Sequence, residues 1–140
     1  MIESFVQSWE KHKDELKKYI KTHPQAEYGE SYEDLVKLLF NMVINPDTKP
    51  RQEYLTEHLH EIDDNSYQGT LIFVLYRTTY PSVYDYVYTS VEYGSCSICD
   101  TLLGIQSNNM EELPDENQVD GYMQLLLNLL QNCHLMKGEE

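Results

Sequence analysis

Cys96 and Cys99 are separated by two residues in Tyr93-Gly94-Ser95-Cys96-Ser97-Ile98-Cys99-Asp100-Thr101-Leu102, and that spacing serves more than one chemistry. Two thiols in such a turn can form a redox pair, most readily where a helix N-terminus stabilises a thiolate. Asp100, one step past Cys99, opposes that effect by like-charge repulsion. The same two sulfurs can supply half of a tetrahedral zinc site, the other two ligands coming from elsewhere. The remaining pair, Cys133-His134, sits poorly for this, because neighbours on a helix point about 100° apart. His58 and His60 share a face only if their segment is a strand, and no spacing ties them to the cysteines. The third reading is structural: Cys96 beside the start of a helix and Cys99 turned toward its apolar side, both acting as small hydrophobes.

Other residues suit recognition better than catalysis. Tyr84, Tyr86 and Tyr88 alternate along what reads as a strand, forming a ladder on one face. Such a ladder serves an interface, since tyrosine combines contact area with a polar tip, or it lies beneath a packed helix. The net charge is -14, and it is unevenly spread. Residues 1–51 carry nine acidic side chains against eight basic ones, whereas residues 52–136 carry thirteen acidic ones against Arg77 alone. That excess repels phosphate backbones and attracts cationic partners, so direct nucleic-acid binding is disfavoured and a basic protein partner is favoured. Glu92, Glu111, Glu112, Asp115 and Glu116 are the candidate acidic contacts, together with the tyrosine ladder. No Gly-rich phosphate loop is present and no nucleophile can be matched to a base, so the sequence offers neither a cofactor site nor a catalytic set.

The elements that position these residues follow from periodicity. From Ile2 to Lys21 the residues Phe5, Trp9, Leu16 and Ile20 recur at helical spacing, with Trp9 a core anchor and His12 at the boundary. His23-Pro24 ends that helix. Ser31 is placed to cap a second helix with the stripe Leu35, Leu38, Leu39, Met42 and Val43, closed by Asn45-Pro46. A strand is expected near Leu59 to Asp63. Residues Leu71 to Tyr76 are apolar at every position, which predicts a strand over 70–77 buried on both faces. Tyr84 to Tyr93 alternates, and the short connector predicts an antiparallel hairpin. A helix follows through Leu102, Leu103 and Ile105, and Asp115 with Gln118 forms a capping box for a last helix bearing Val119, Met123, Leu126, Leu127 and Leu130. The fold class is α+β: a small antiparallel sheet of hairpin-connected strands packed by N-terminal and C-terminal helices. With 140 residues and no linker, one domain over 1–140 is expected. The longest apolar runs fall far short of the ~20 residues of a membrane span, and an odd number of cysteines without a secretory signal points to the cytoplasm.

Three segments, Ile62-Asp63-Asp64, Tyr67-Gln68-Gly69-Thr70 and the Tyr93–Leu102 stretch, together resemble a group of small phage and prophage proteins of uncharacterised function from Gram-positive hosts. The resemblance spans residues 61–105, with Ile98 standing where that group carries glycine. It implies a bacterial or phage cytoplasmic setting and supplies no catalytic residues. Joined to the acidic, tyrosine-bearing surface, it gives the expectation of a non-enzymatic phage accessory protein that binds a basic host protein, such as a nucleic-acid-binding or defence protein. The alternative is a thiol-redox or zinc protein working through Cys96 and Cys99.

Overall fold

The computed structural model describes residues 2–65, 69–78, 80–96 and 98–136, so Tyr67, Gln68 and Ser97 of the motif lie outside the described residues. Helix α1 runs over Glu3–Thr22 and buries Phe5, Trp9, Leu16 and Ile20. It ends where Pro24 forces His23 into the extended region, φ -124° and ψ 146°. Ser31 caps α2, Tyr32–Leu39, by accepting the Asp34 N–H at 3.2 Å. The chain does not stop at Asn45-Pro46. It runs on through a π-helical turn, Phe40–Ile44, and a 3-10 turn, Asn45–Asp47, that accommodates Pro46 in its first turn. The wider π turn changes the phase, so Leu35, Val36, Leu39, Phe40, Val43 and Ile44 are buried while Leu38 and Met42 of the expected stripe are only half-buried.

Asp47, at the end of that run, holds α1 in place. Its carboxylate accepts from Ser8 Oγ at 2.7 Å and Lys11 Nζ at 3.2 Å, and pairs with His12 Nε2 at 2.8 Å. The bond to His12, then that to Ser8, holds the carboxyl down at about 2. A depressed carboxyl adds stability above its unfolded value of about 3.9, and that stability is lost as pH falls toward 2. Asp47→Asn should therefore cost about 1 kcal/mol in urea unfolding at pH 7, discounted for its part-exposed setting, and the gap from wild type should narrow below pH 4. A gap independent of pH would place the loss in packing instead.

The strands β1 (His60–Asp63), β2 (Gly69–Tyr76), β3 (Tyr86–Tyr93) and β4 (His134–Leu135) form one antiparallel sheet in the order β1-β2-β3-β4. The register sets Asp63 opposite Leu71 and Gly69 opposite Tyr93. Two helices complete the fold, the short α3 (Thr101–Ile105) and α4 (Glu116–Gln131), which begins on the reciprocal Asp115–Gln118 capping box. Helices α1, α2 and α3 all pack on α4, and α4 rests on β3, where the buried Thr89 hydroxyl donates to Leu129 O at 2.6 Å. The fold is thus α+β, with N-terminal and C-terminal helices on an antiparallel sheet.

Two expectations are corrected by this single helical layer. Strand β2 is not covered on both faces: Leu71, Phe73 and Leu75 are buried, whereas Ile72 and Val74 are half-buried on the side away from the helices. Apolar residues on that open side suit the central position of the strand more than they report a second layer. The tyrosine ladder is shorter than expected, since Tyr84 belongs to the 3-10 turn Val83–Asp85 and is 70% exposed. Tyr86 and Tyr88 stand on the open face, where no helix covers them among the described residues; Tyr86 instead meets Tyr76 at 5.6 Å between ring centroids and Tyr88 meets His134 at 5.5 Å.

Candidate functional site

The motif segments, far apart in sequence, meet at one end of the sheet. Gly69 lies opposite Tyr93 and leaves no room for a side chain, since a Cβ there would come 2.9 Å from the Tyr93 ring. The Tyr93 hydroxyl donates to Asp63 Oδ1 at 2.7 Å, a bond that pushes the phenol up to about 12. Asp63 also accepts the Asn65 N–H at 2.8 Å, and Asp64 accepts the Thr70 N–H at 3.1 Å, so the acidic turn is tied to the start of β2.

Asp100 is the hub of the other side. It is 5% exposed, and its carboxylate takes the Tyr32 hydroxyl at 2.7 Å, the Leu103 N–H at 3.1 Å and the Gly94 N–H at 2.9 Å. It therefore caps α3, closes the turn that contains the cysteines and ties both to α2. Tyr32 in turn accepts the Leu102 N–H at 3.1 Å, and burial drives its phenol well above the ordinary value.

Between these two anchors lies a groove of about 270 Å³, with Glu30, Glu61, Asp63 and Asp100 on its walls and Leu71 and Leu102 among its apolar residues. None of its lining residues is basic. Glu61 is raised above its ordinary value first by desolvation and then by the charges of Glu33 and Asp63. An apolar floor walled by carboxylates attracts an organic cation, such as a lysine or arginine side chain whose stem can lie on the leucines. Arg77, the lone basic residue in the acidic stretch, is committed elsewhere, with its guanidinium donating to Tyr54 OH at 2.7 Å.

Cys96 and Cys99 lie in the turn between Gly94 and Asp100 and are not among the residues that line this groove. The expected structural packing fails for both: they are exposed, because Asp100 occupies the capping position and leaves the thiols on the outer side of the turn. Their sulfurs are 2.9 Å apart. Hydrogen bonds from the side chain and then the backbone of Cys96 hold Cys99 down at about 7. Cys133 is the buried one, and burial pushes its thiol up to about 12. Among the described residues no three His, Cys, Asp or Glu side chains gather as a metal site, so the pair has no further ligands there.

The acidic residues singled out from charge density lie outside this groove. Glu92 projects on the open face of the sheet with Tyr86 and Tyr88, as strand parity requires. Glu111 and Glu112 lie on the loop before α4, where Gln25 N–H donates to Glu112 O at 3.2 Å. Asp115 is engaged as the α4 cap, and Glu116 shares a groove with Lys17 and Lys21 of α1. Sequence reasoning missed Glu30 and Glu61 as a pair, although the acidic turn beside Glu61 was already part of the motif.

No helix among the described residues is long and apolar enough to cross a membrane. Compared with family models, curated proteins and solved structures, the chain matches none.

Proposed function

We propose that this chain is a non-catalytic binding protein whose acidic groove receives a cationic segment of a protein partner. The observation that carries this reading is the set Glu30, Glu61, Asp63 and Asp100 around an apolar floor with no basic residue in the lining. A lysine or arginine entering there sets its charge against these carboxylates and lays its aliphatic stem on Leu71 and Leu102. On the phage resemblance, the partner is a basic protein of the bacterial host, such as one that binds nucleic acid, and the encounter takes place in the cytoplasm. The net charge of -14 accelerates that encounter more than it deepens the affinity.

The test uses a fluorescein-labelled peptide of alternating lysine and leucine, titrated with the full chain. Glu30→Lys with Glu61→Lys should weaken binding on the order of tenfold, and raising salt from 50 to about 200 mM should slow association. Both side chains are exposed, so the double variant retains the fold. Glu10→Lys with Glu15→Lys, on the outer face of α1, makes the same change in net charge and should alter affinity less than about twofold. Equal losses from the two double variants would reduce the charge to a general effect and overturn the groove as the site. If instead the set Glu92, Glu111, Glu112, Asp115 and Glu116 gives the larger loss on reversal, binding belongs to those acids and the groove is overturned as the site.

A further inference from the structure

We propose that Cys96 and Cys99 are a redox-active dithiol that exchanges with low-molecular-weight disulfides to form a reversible Cys96–Cys99 bond. Geometry is the first support. The two sulfurs are 2.9 Å apart, against a disulfide length of about 2.05 Å, so closure needs less than about 1 Å of movement. Both side chains are exposed and open to a small disulfide. The turn is also braced from behind: Asp100 N–H donates to Cys96 O at 2.9 Å and Cys99 N–H to the same oxygen at 3.2 Å. Gly94 abuts this turn so closely that a Cβ there would come 2.8 Å from Cys99 Sγ. Those bonds hold Cys99 and Asp100 against Cys96 O, and the two thiols lie close together before any oxidant arrives.

Cys99 is the attacking sulfur. With its thiol held at about 7, it is substantially ionised at neutral pH while remaining a competent nucleophile. The lowering comes from Cys96, since α3 is only five residues long and its cap position is filled by Asp100. The Cys99 thiolate attacks one sulfur of a disulfide RSSR, forming Cys99–S–R and expelling RS⁻. Cys96 then releases its proton to water and attacks Cys99 Sγ, which breaks the Cys99–S–R bond and expels the second RS⁻. Both leaving thiolates take up protons, so the two protein thiols are oxidised by two electrons, RSSR is reduced to two RSH, and the protons balance. The reverse sequence, with a small dithiol as reductant, restores the pair.

This proposal is independent of the groove: peptide binding and thiol exchange are separate measurements. The full chain, reduced and freed of metal with a chelator, is incubated with glutathione and glutathione disulfide at graded ratios, quenched with acid, alkylated and peptide-mapped. The expected product has lost two hydrogens, carries the Cys96–Cys99 link, leaves Cys133 alkylatable after denaturation, and returns to dithiol on adding dithiothreitol. Cys96→Ser should accumulate a mixed glutathione adduct on Cys99 that wild type does not, because no second sulfur resolves it. The proposal is overturned if the thiols stay reduced in about 100-fold excess of glutathione disulfide. It is equally overturned if wild type stalls as mixed adducts or if the bond forms to Cys133.

Discussion

Asp100→Ala is expected to remove about 3 kcal/mol of stability, the largest loss from any single polar residue near the groove. The residue is 5% exposed and accepts three hydrogen bonds, from Tyr32, Leu103 and Gly94, that reach into three separate segments of the chain. Alanine leaves the Tyr32 hydroxyl buried without its acceptor, uncaps α3 and frees the Gly94 N–H. Asn supplies one carbonyl oxygen in nearly the same place, so Asp100→Asn keeps the contacts of Oδ1 but sets an amide N–H against that of Gly94. Its cost should be roughly half that of alanine. Urea unfolding of both variants measures the difference. A loss below about 1 kcal/mol for alanine would mean that the turn is held by its own backbone bonds and that Asp100 is dispensable.

Gly94→Ala is expected to cost about 2–3 kcal/mol, even though it adds only one methyl group. The new Cβ would lie 2.5 Å from Cys99 O and 2.7 Å from Cys99 C, and backbone atoms in a braced turn cannot swing aside as a side chain tip can. The contrast is Gly121→Ala on α4, whose Cβ meets Ile105 Cγ1 at 3.0 Å. There the neighbour is a half-buried isoleucine side chain that has to give by a few tenths of an ångström, and alanine improves helix propensity by up to about 1 kcal/mol, so the net change should be near zero. Guanidinium unfolding of the two variants side by side separates the cases. Equal costs would show that the turn at Gly94 yields as easily as a side chain.

Much of the framework was legible because local rules governed it. Ser31, Asp115 and Gln118 were read as caps from residue type and spacing alone, and they make those hydrogen bonds. The hairpin of β2 and β3 follows from the run Leu71–Tyr76 beside an alternating segment. What failed was decided by distant packing. Helix α4 is apolar around most of its circumference between Leu125 and Leu130, so its pattern did not specify a phase. The buried set proves to be Val119, Tyr122, Leu125, Leu126, Leu129 and Leu130, oriented in part by the Tyr122 hydroxyl donating to Gln25 Oε1 at 2.7 Å. Nothing local announces that contact across 97 residues of chain.

The site was legible in pieces but not as a whole. The three motif segments were visible in sequence, and the fold gathers Asp63, Asp64, Gly69, Thr70 and Tyr93 at one end of the sheet, with the bonded pair Gly94 and Asp100 following directly in the chain. The groove walls were not visible, because Glu30 precedes α2 and Glu61 lies on β1, and their approach depends on a sheet register that sequence spacing does not encode. Charge density along the chain pointed instead to Glu111, Glu112, Asp115 and Glu116, which lie on the loop before α4 and at its start, outside the groove. The cysteines illustrate the same limit. Their spacing suggested a helix start, but the capping position one residue later was taken by the stronger hydrogen-bond acceptor.

The packing of α1 on α4 also dictates an order of assembly during synthesis. The meander of β1, β2 and β3 uses only near neighbours in sequence and can form as soon as residue 93 has emerged from the ribosome. Helix α1 emerges before the other described elements and finds part of its cover early, in the turn Phe40–Ile44 and in the rings of Phe40 and Tyr54 against Phe5, yet its α4 cover is not made until residues 116–131 follow. For much of translation the side of α1 that meets α4 is therefore open, and the nascent chain presents it to whatever chaperone or neighbouring chain is at hand.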